Sequence, residues 1–77
     1  MDNKALAENV GALVRQLRVA AGMSQEEFAD RCGVHRTYIG SIERGEKAIT
    51  IETAQKIVEA LNLSLSQFFQ KLEENSD

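Results

Sequence analysis

The chain has 77 residues, 43% hydrophobic and 27% charged, with no Pro and no Trp. That composition excludes a fibrous repeat or a disordered tail and leaves room for one small domain with a marginal core of its own. Its formal net charge is −3 and its one cysteine, Cys32, cannot close an internal disulfide, so a reducing cytoplasm is the expected setting.

No apolar run reaches the ~18 residues of a membrane span, and residues 1–20 lack the basic start and apolar centre of a signal peptide. A negative total argues against a nucleic-acid partner only if the charges are evenly spread. They are not: residues 31–47 carry four basic side chains against two acidic, whereas 1–30 carry three against five and 48–77 two against five. Screening over about 8–10 Å makes the local balance decisive, so the middle of the chain can still hold phosphate.

In chain order, Leu6, Val10, Leu13, Val14, Leu17 and Ala21 form one stripe at helical spacing, with Lys4, Glu8, Arg15 and Arg18 between them. Gly22 follows where a left-handed cap is wanted. Ser24 with Glu27 three residues on is a capping box that opens a second helix, from about Gln25 to Arg31, with its exit at Gly33. Residues 32–34 then form a turn into a third helix anchored by Val34, Ile39 and Ile42, ending near Arg44 with Gly45 as its stop. Thr50 caps a fourth helix on Ile51, Ala54, Ile57, Val58 and Leu61. Ser64 with Gln67 opens a fifth, spanning about 64–73, on Leu65, Phe68, Phe69 and Leu72, and Glu73, Glu74 and Asp77 read as a solvated acidic end. With no strand alternation or repeat, the expectation is an all-α, five-helix single domain over residues 1–77.

Between the second and third helices the spacing meets the demands of a helix-turn-helix, placed at about 24–44. Ala29 is small where the next helix must approach, Gly33 suits a positive φ, and Ile39 supplies a buried branched anchor.

Those residues, and "GMSQEEFADRCGVHRTYIGSIERGEKAITIETAQKIVEALNLSLSQFF" as a whole, resemble the lambda-repressor-like, or XRE-type, helix-turn-helix regulators. Within them "HRTYIGSIERGEK" is similar to the small controller proteins of restriction–modification systems, which are single-domain dimers. The resemblance implies a sequence-specific transcriptional regulator that binds a palindromic operator as a homodimer. Its implied partners are double-stranded DNA, a second copy of the chain and RNA polymerase. An antitoxin or a phage-type repressor is an alternative within the class, and a protein-interaction module that retains the helix-turn-helix only for folding is one outside it.

The residue chemistry agrees. Arg36 and Thr37 project from the front of the third helix, where the dipole favours anionic oxygens. Arg suits guanine O6 and N7, and Thr a thymine methyl or a hydrogen bond. Lambda-type repressors are the standing example of this docking geometry. Ser41 lies one turn on as a further base reader, beside a Gly40 that has no side chain where family members carry a polar contact. Gln25 resembles the family residue that grips a phosphate while touching the recognition helix, with Ser24 beside it. Tyr38, Arg44 and Lys47 flank the third helix as phosphate contacts, which fix register without reading sequence.

Other readings stand beside these. Arg36 and Thr37 alone would be a solvated helix end, and Tyr38 can equally pack into the core. His35 reads as an N-cap or a surface side chain. One His and one Cys fall short of a structural zinc site, and no convergent titratable pair supports an enzyme, so neither a metal nor a cofactor is expected. Arg18 and Glu43 match a family ion pair that would orient the third helix from behind. Leu65, Phe68, Phe69 and Leu72 are the candidate dimer interface: Leu65 and Phe68 can both face inward, but Phe69 and Leu72 add apolar area beyond what five short helices cover, and an uncovered patch marks association.

Overall fold

The computed structural model describes residues 3–75; residues 1–2, 76 and Asp77 of the expected domain lie outside them. Five helices follow in order: α1 (Asn3–Ala20), α2 (Gln25–Cys32), α3 (Arg36–Glu43), α4 (Ile51–Ala60) and α5 (Leu65–Asn75), with no strand among the described residues.

Several boundaries have a local chemical cause. At the end of α1, Gly22 takes φ +74°, which turns its amide and that of Met23 back onto the Val19 and Arg18 carbonyls at 3.0 and 3.2 Å. In α2 the capping box is reciprocal: the Glu27 amide donates to Ser24 Oγ at 3.0 Å, and the Ser24 amide donates to Glu27 Oε1 at 3.2 Å. Ser64 and Gln67 repeat it at the start of α5, at 2.9 and 3.0 Å. Thr50 Oγ1 accepts the Thr53 amide ahead of α4. Such caps contribute about 1 kcal/mol each, a useful fraction of the stability of so short a helix.

The apolar stripes meet in one cluster. Val14 of α1, Phe28 of α2, Ile39 and Ile42 of α3, Ile57 and Val58 of α4 and Phe68 of α5 are all fully buried in it. α1 packs on α3 and α5, α2 packs on α3 and α4, and α4 packs on α5.

The structure corrects several expectations. α2 runs one residue further, to Cys32, so the turn is Gly33 to His35 and Val34 packs from that turn rather than from α3. Leu6 and Ile51, at the leading ends of their stripes, are 43% and 63% exposed because no helix covers them. The C-terminal stripe is mostly core: Phe68 is wholly buried, Leu72 is buried and Leu65 packs against the cluster. A side chain already buried by its own chain has no surface for a partner. Of the expected interface of Leu65, Phe68, Phe69 and Leu72, only Phe69 stays open, at 38%, its ring edge-on to Phe68 at 5.6 Å.

Three contacts fix α3 relative to the rest. Gly11 lies where α1 crosses the end of α3, and a Cβ there would overlap the Ile42 carbonyl oxygen and approach that of Glu43 to 2.9 Å. Gly45 needs its φ of +75° to leave α3, and a Cβ on it would also come within 2.9 Å of the Glu8 Cα. Arg18 Nε and Nη2 donate to Glu43 Oε2 and Oε1 at 2.7 and 3.1 Å, while Arg18 Nη1 donates to the Met23 carbonyl at 2.8 Å. The hydrogen bonds to Glu43 push the Arg18 pKa further up, so the guanidinium stays charged at any pH at which the protein folds.

Because the Glu43 side chain is only 3% exposed, Arg18→Ala leaves a buried carboxylate short of its counter-charge. The expected loss is about 3–5 kcal/mol in denaturant unfolding, enough to weaken any activity of α3 through folding alone. Gly11→Ala should lower stability by about 1–3 kcal/mol, since the clash is with backbone that cannot rotate away. Burial pushes the Cys32 thiol up to about 11. Its neutral form therefore favours the folded state fully below the unfolded thiol's pKa of about 8.5, and that contribution is lost as pH rises through about 11. A thiol-exchange reagent at pH 8 should modify native Cys32 only at the rate of unfolding, and at once in denaturant.

Candidate nucleic-acid interface

The face built around α3 begins with its cap. His35 is extended, at φ −74° and ψ 143°, and its Nδ1 accepts the Thr37 amide at 3.1 Å while its carbonyl accepts the amide of Tyr38. Two of the amides at the helix front are therefore occupied by protein atoms. Attraction of an anion here rests on the dipole and the side chains rather than on those two N–H groups.

From that first turn Arg36 and Thr37 point into solvent and both are exposed. Ser41, one turn on, is half-buried, and its hydroxyl donates to the Thr37 carbonyl at 3.0 Å. With its proton used, the Ser41 oxygen retains lone pairs that can accept from an exocyclic base amine. Tyr38 is partly buried against the core, so of its two readings packing accounts for the ring.

Beside this turn, Gln25 Nε2 donates to Glu43 Oε1 at 3.0 Å, so the carboxylate that holds Arg18 also holds the first residue of α2. One N–H of the Gln25 amide remains to donate outward, next to a Ser24 whose oxygen caps α2. Gly40 explains how the neighbouring groups come together. A Cβ on it would lie 3.1 Å from Arg44 Nη1 and 3.7 Å from Gln25 Oε1, so the bare backbone leaves room for both side chains to fold over α3. Arg44 in turn is held by Glu46, with Nε on Oε2 at 2.9 Å and Nη2 on Oε1 at 3.1 Å. These hydrogen bonds raise the Arg44 pKa and lower that of Glu46, so both are charged at neutral pH. Arg36 Nη1 likewise reaches Glu26 Oε2 at 3.2 Å.

Ser24, Gln25, Arg36, Thr37 and Arg44 thus gather on one exposed surface around the start and the flank of α3. Lys47 does not join the Gln25–Arg44 group directly. It is exposed on the loop after α3 and borders a groove of about 350 Å³ whose apolar walls include Leu6, Ile49, Ile51 and Phe69. Among the described residues no group of His, Cys, Asp and Glu is arranged to hold a metal, and no helix is long and apolar enough to cross a membrane.

Residues 14–68 match the helix-turn-helix family. The control protein C.SmaI of Serratia marcescens is 47% identical over 60 residues, covering 78% of this chain and 67% of that protein. The control protein C.BamHI of Bacillus amyloliquefaciens is 44% identical over 54 residues, covering 69% and 67%. Among solved structures, the wild-type restriction–modification controller protein C.Esp1396I superposes with a TM-score of 0.83 at 33% identity, over 90% of this chain and 91% of that one. The tetramer of that controller in complex with its natural 35 base-pair operator superposes with a TM-score of 0.84 at 33% identity, over the same shares. With the helix-turn-helix in place and most of the chain matched, the protein belongs to the XRE-type helix-turn-helix family of transcriptional regulators and is similar to the controller proteins of restriction–modification systems.

Proposed function

We propose that the chain acts in the cytoplasm as a homodimer on a palindromic operator, regulating transcription as a restriction–modification controller does. The observation that carries this reading is the front of α3: Arg36 and Thr37 are exposed, Arg36 in a surface pair with Glu26, while the far end of the same helix is tied to α1 and α2 through Glu43. A helix held firmly at its back and open at its front can enter the major groove without rearranging the core. Arg36, Thr37 and Ser41 then read base edges, and Ser24, Gln25, Arg44 and Lys47 hold backbone oxygens, with any role of Tyr38 confined to its hydroxyl. RNA polymerase as a further partner follows from a promoter-bound role alone.

Self-association is supported by the uncovered apolar surface. Leu6, Ile51 and Phe69 surround the groove between α1, α4 and α5, and a patch of this kind rimmed by polar residues marks a protein contact. A second copy on that surface, related by a twofold axis, would set the two α3 helices about 34–36 Å apart, one turn of DNA.

Selection of bound duplexes from a random pool is expected to return a site with twofold symmetry and that half-site spacing; a site without symmetry sinks the dimer. Arg36→Ala should weaken binding to the selected site by about 1–3 kcal/mol and relax preference at one base position. Arg44→Ala should weaken all duplexes alike and flatten the salt dependence by about 0.9 in log-log slope. If neither change affects DNA binding, the chain is a protein-interaction module instead. Ile51→Glu, at an exposed position, should shift sedimentation towards the monomer without lowering helicity.

A further inference from the structure

We infer that Gln25 is a specificity-determining residue: its side-chain amide, laid across the bare backbone of Gly40, reads an adenine in the major groove. The inference rests on the proposed entry of α3 into that groove. Within α3, Gly40 shares the outward side with Arg36, Thr37 and Arg44, opposite the buried Ile39 and Ile42, yet it too is buried. What covers it is polar: a Cβ there would lie 3.1 Å from Arg44 Nη1 and 3.7 Å from Gln25 Oε1. Both neighbours are side-chain ends, and Gly40 lacks the positive φ of Gly22, Gly33 and Gly45, so no turn requires a glycine here. The Gln25 amide thus lies where a side chain at position 40 would begin, on the side of α3 that carries Arg36 and Thr37.

Glu43 decides which end of that amide faces outward. Gln25 Nε2 donates to Glu43 Oε1 at 3.0 Å, and a carboxylate that only accepts cannot hold the amide the other way round. Glu43 is itself held by Arg18 Nε and Nη2 and its side chain is 3% exposed, so it does not turn aside for a ligand. Among the described residues no donor takes Gln25 Oε1. The side chain therefore presents that oxygen as an acceptor beside one remaining Nε2 hydrogen as a donor. In the major groove adenine alone offers the matching pair, an N6 hydrogen to give and an N7 to accept. Guanine offers two acceptors there and a phosphate only acceptors, so on either of them Oε1 is left against another oxygen. The backbone contact proposed for Gln25 falls to its main-chain amide, which at the first position of α2 has no carbonyl of its own helix to bond.

The test measures fluorescence anisotropy of the full chain, at one salt concentration, on the selected operator and on duplexes with each base pair of both half-sites changed in turn. The wild type is expected to lose about tenfold per half-site when one particular A·T pair is changed. A similar loss should follow when that adenine alone is replaced by 7-deazaadenine, which lacks N7. Gln25→Ala and Gln25→Met should bind the intact operator more weakly by about that factor and lose nothing further from either change, while the preference set by Arg36 remains. Arg44→Ala, which removes a phosphate contact, should weaken every duplex alike and keep the adenine preference. The inference is overturned if both Gln25 variants weaken all duplexes by one factor, if they retain the adenine preference, or if 7-deazaadenine costs the wild type nothing. Any of these in a protein that still prefers its operator leaves the DNA-binding reading intact. A wild-type chain that binds no duplex overturns both together. Helical circular dichroism of each variant checks that the fold is unchanged.

Discussion

The carboxylate of Glu43 takes three hydrogen bonds, from Arg18 Nε and Nη2 and from Gln25 Nε2, and these join the end of α1, the start of α2 and the end of α3. A side chain so nearly closed to water would be costly as a lone charge, and the guanidinium makes it tolerable. The same carboxylate orients the Gln25 amide at the rim of the exposed face. One residue thus serves the packing behind α3 and the polar surface in front of it. The Met23 carbonyl, bound to the third nitrogen of Arg18, adds the loop before α2 to the assembly.

Around that centre the molecule divides labour between backbone and side chains. The hydrophobic cluster supplies cohesion and sets which helix faces inward. Two glycines then decide how closely the helices approach: Gly11 admits the end of α3 to the backbone of α1, and Gly45 brings the loop after α3 against Glu8. A third, Gly40, acts outward, where its missing side chain leaves the flank of α3 to Gln25 and Arg44. The apolar cluster alone would permit small slides of one helix on another, whereas a carbonyl oxygen against a missing Cβ does not.

Much of this was legible in the sequence, because caps and stripes are local signals. Ser24 with Glu27, Gly33, Thr50 and Ser64 with Gln67 name their own boundaries, and α2, α4 and α5 begin where those residues say. The end of α2 was misplaced by one residue because Cys32 is both a weak helix former and a good core residue, and burial outweighed propensity. How the C-terminal stripe divides between core and surface was not legible for a related reason: periodicity tells which residues share a face, not how wide the neighbouring helix is. Gly11 carried no signal at all, since a glycine inside an amphipathic helix looks the same whether it faces solvent or another backbone. The resemblance supplied the pairing of Arg18 with Glu43. Nothing in the spacing pointed to Glu26 and Glu46 as the partners of Arg36 and Arg44, because exposed pairs depend on loop paths that a linear pattern does not encode.

The contact at Gly11 bears on how such a protein can change over generations. Since α3 has no freedom to tilt or advance, a lineage cannot acquire a new target by re-aiming the helix in small steps. On the proposed reading, change falls on the exposed side chains at the front of α3, such as those at 36 and 37, while the mount stays fixed. Diversification of this kind is combinatorial rather than gradual.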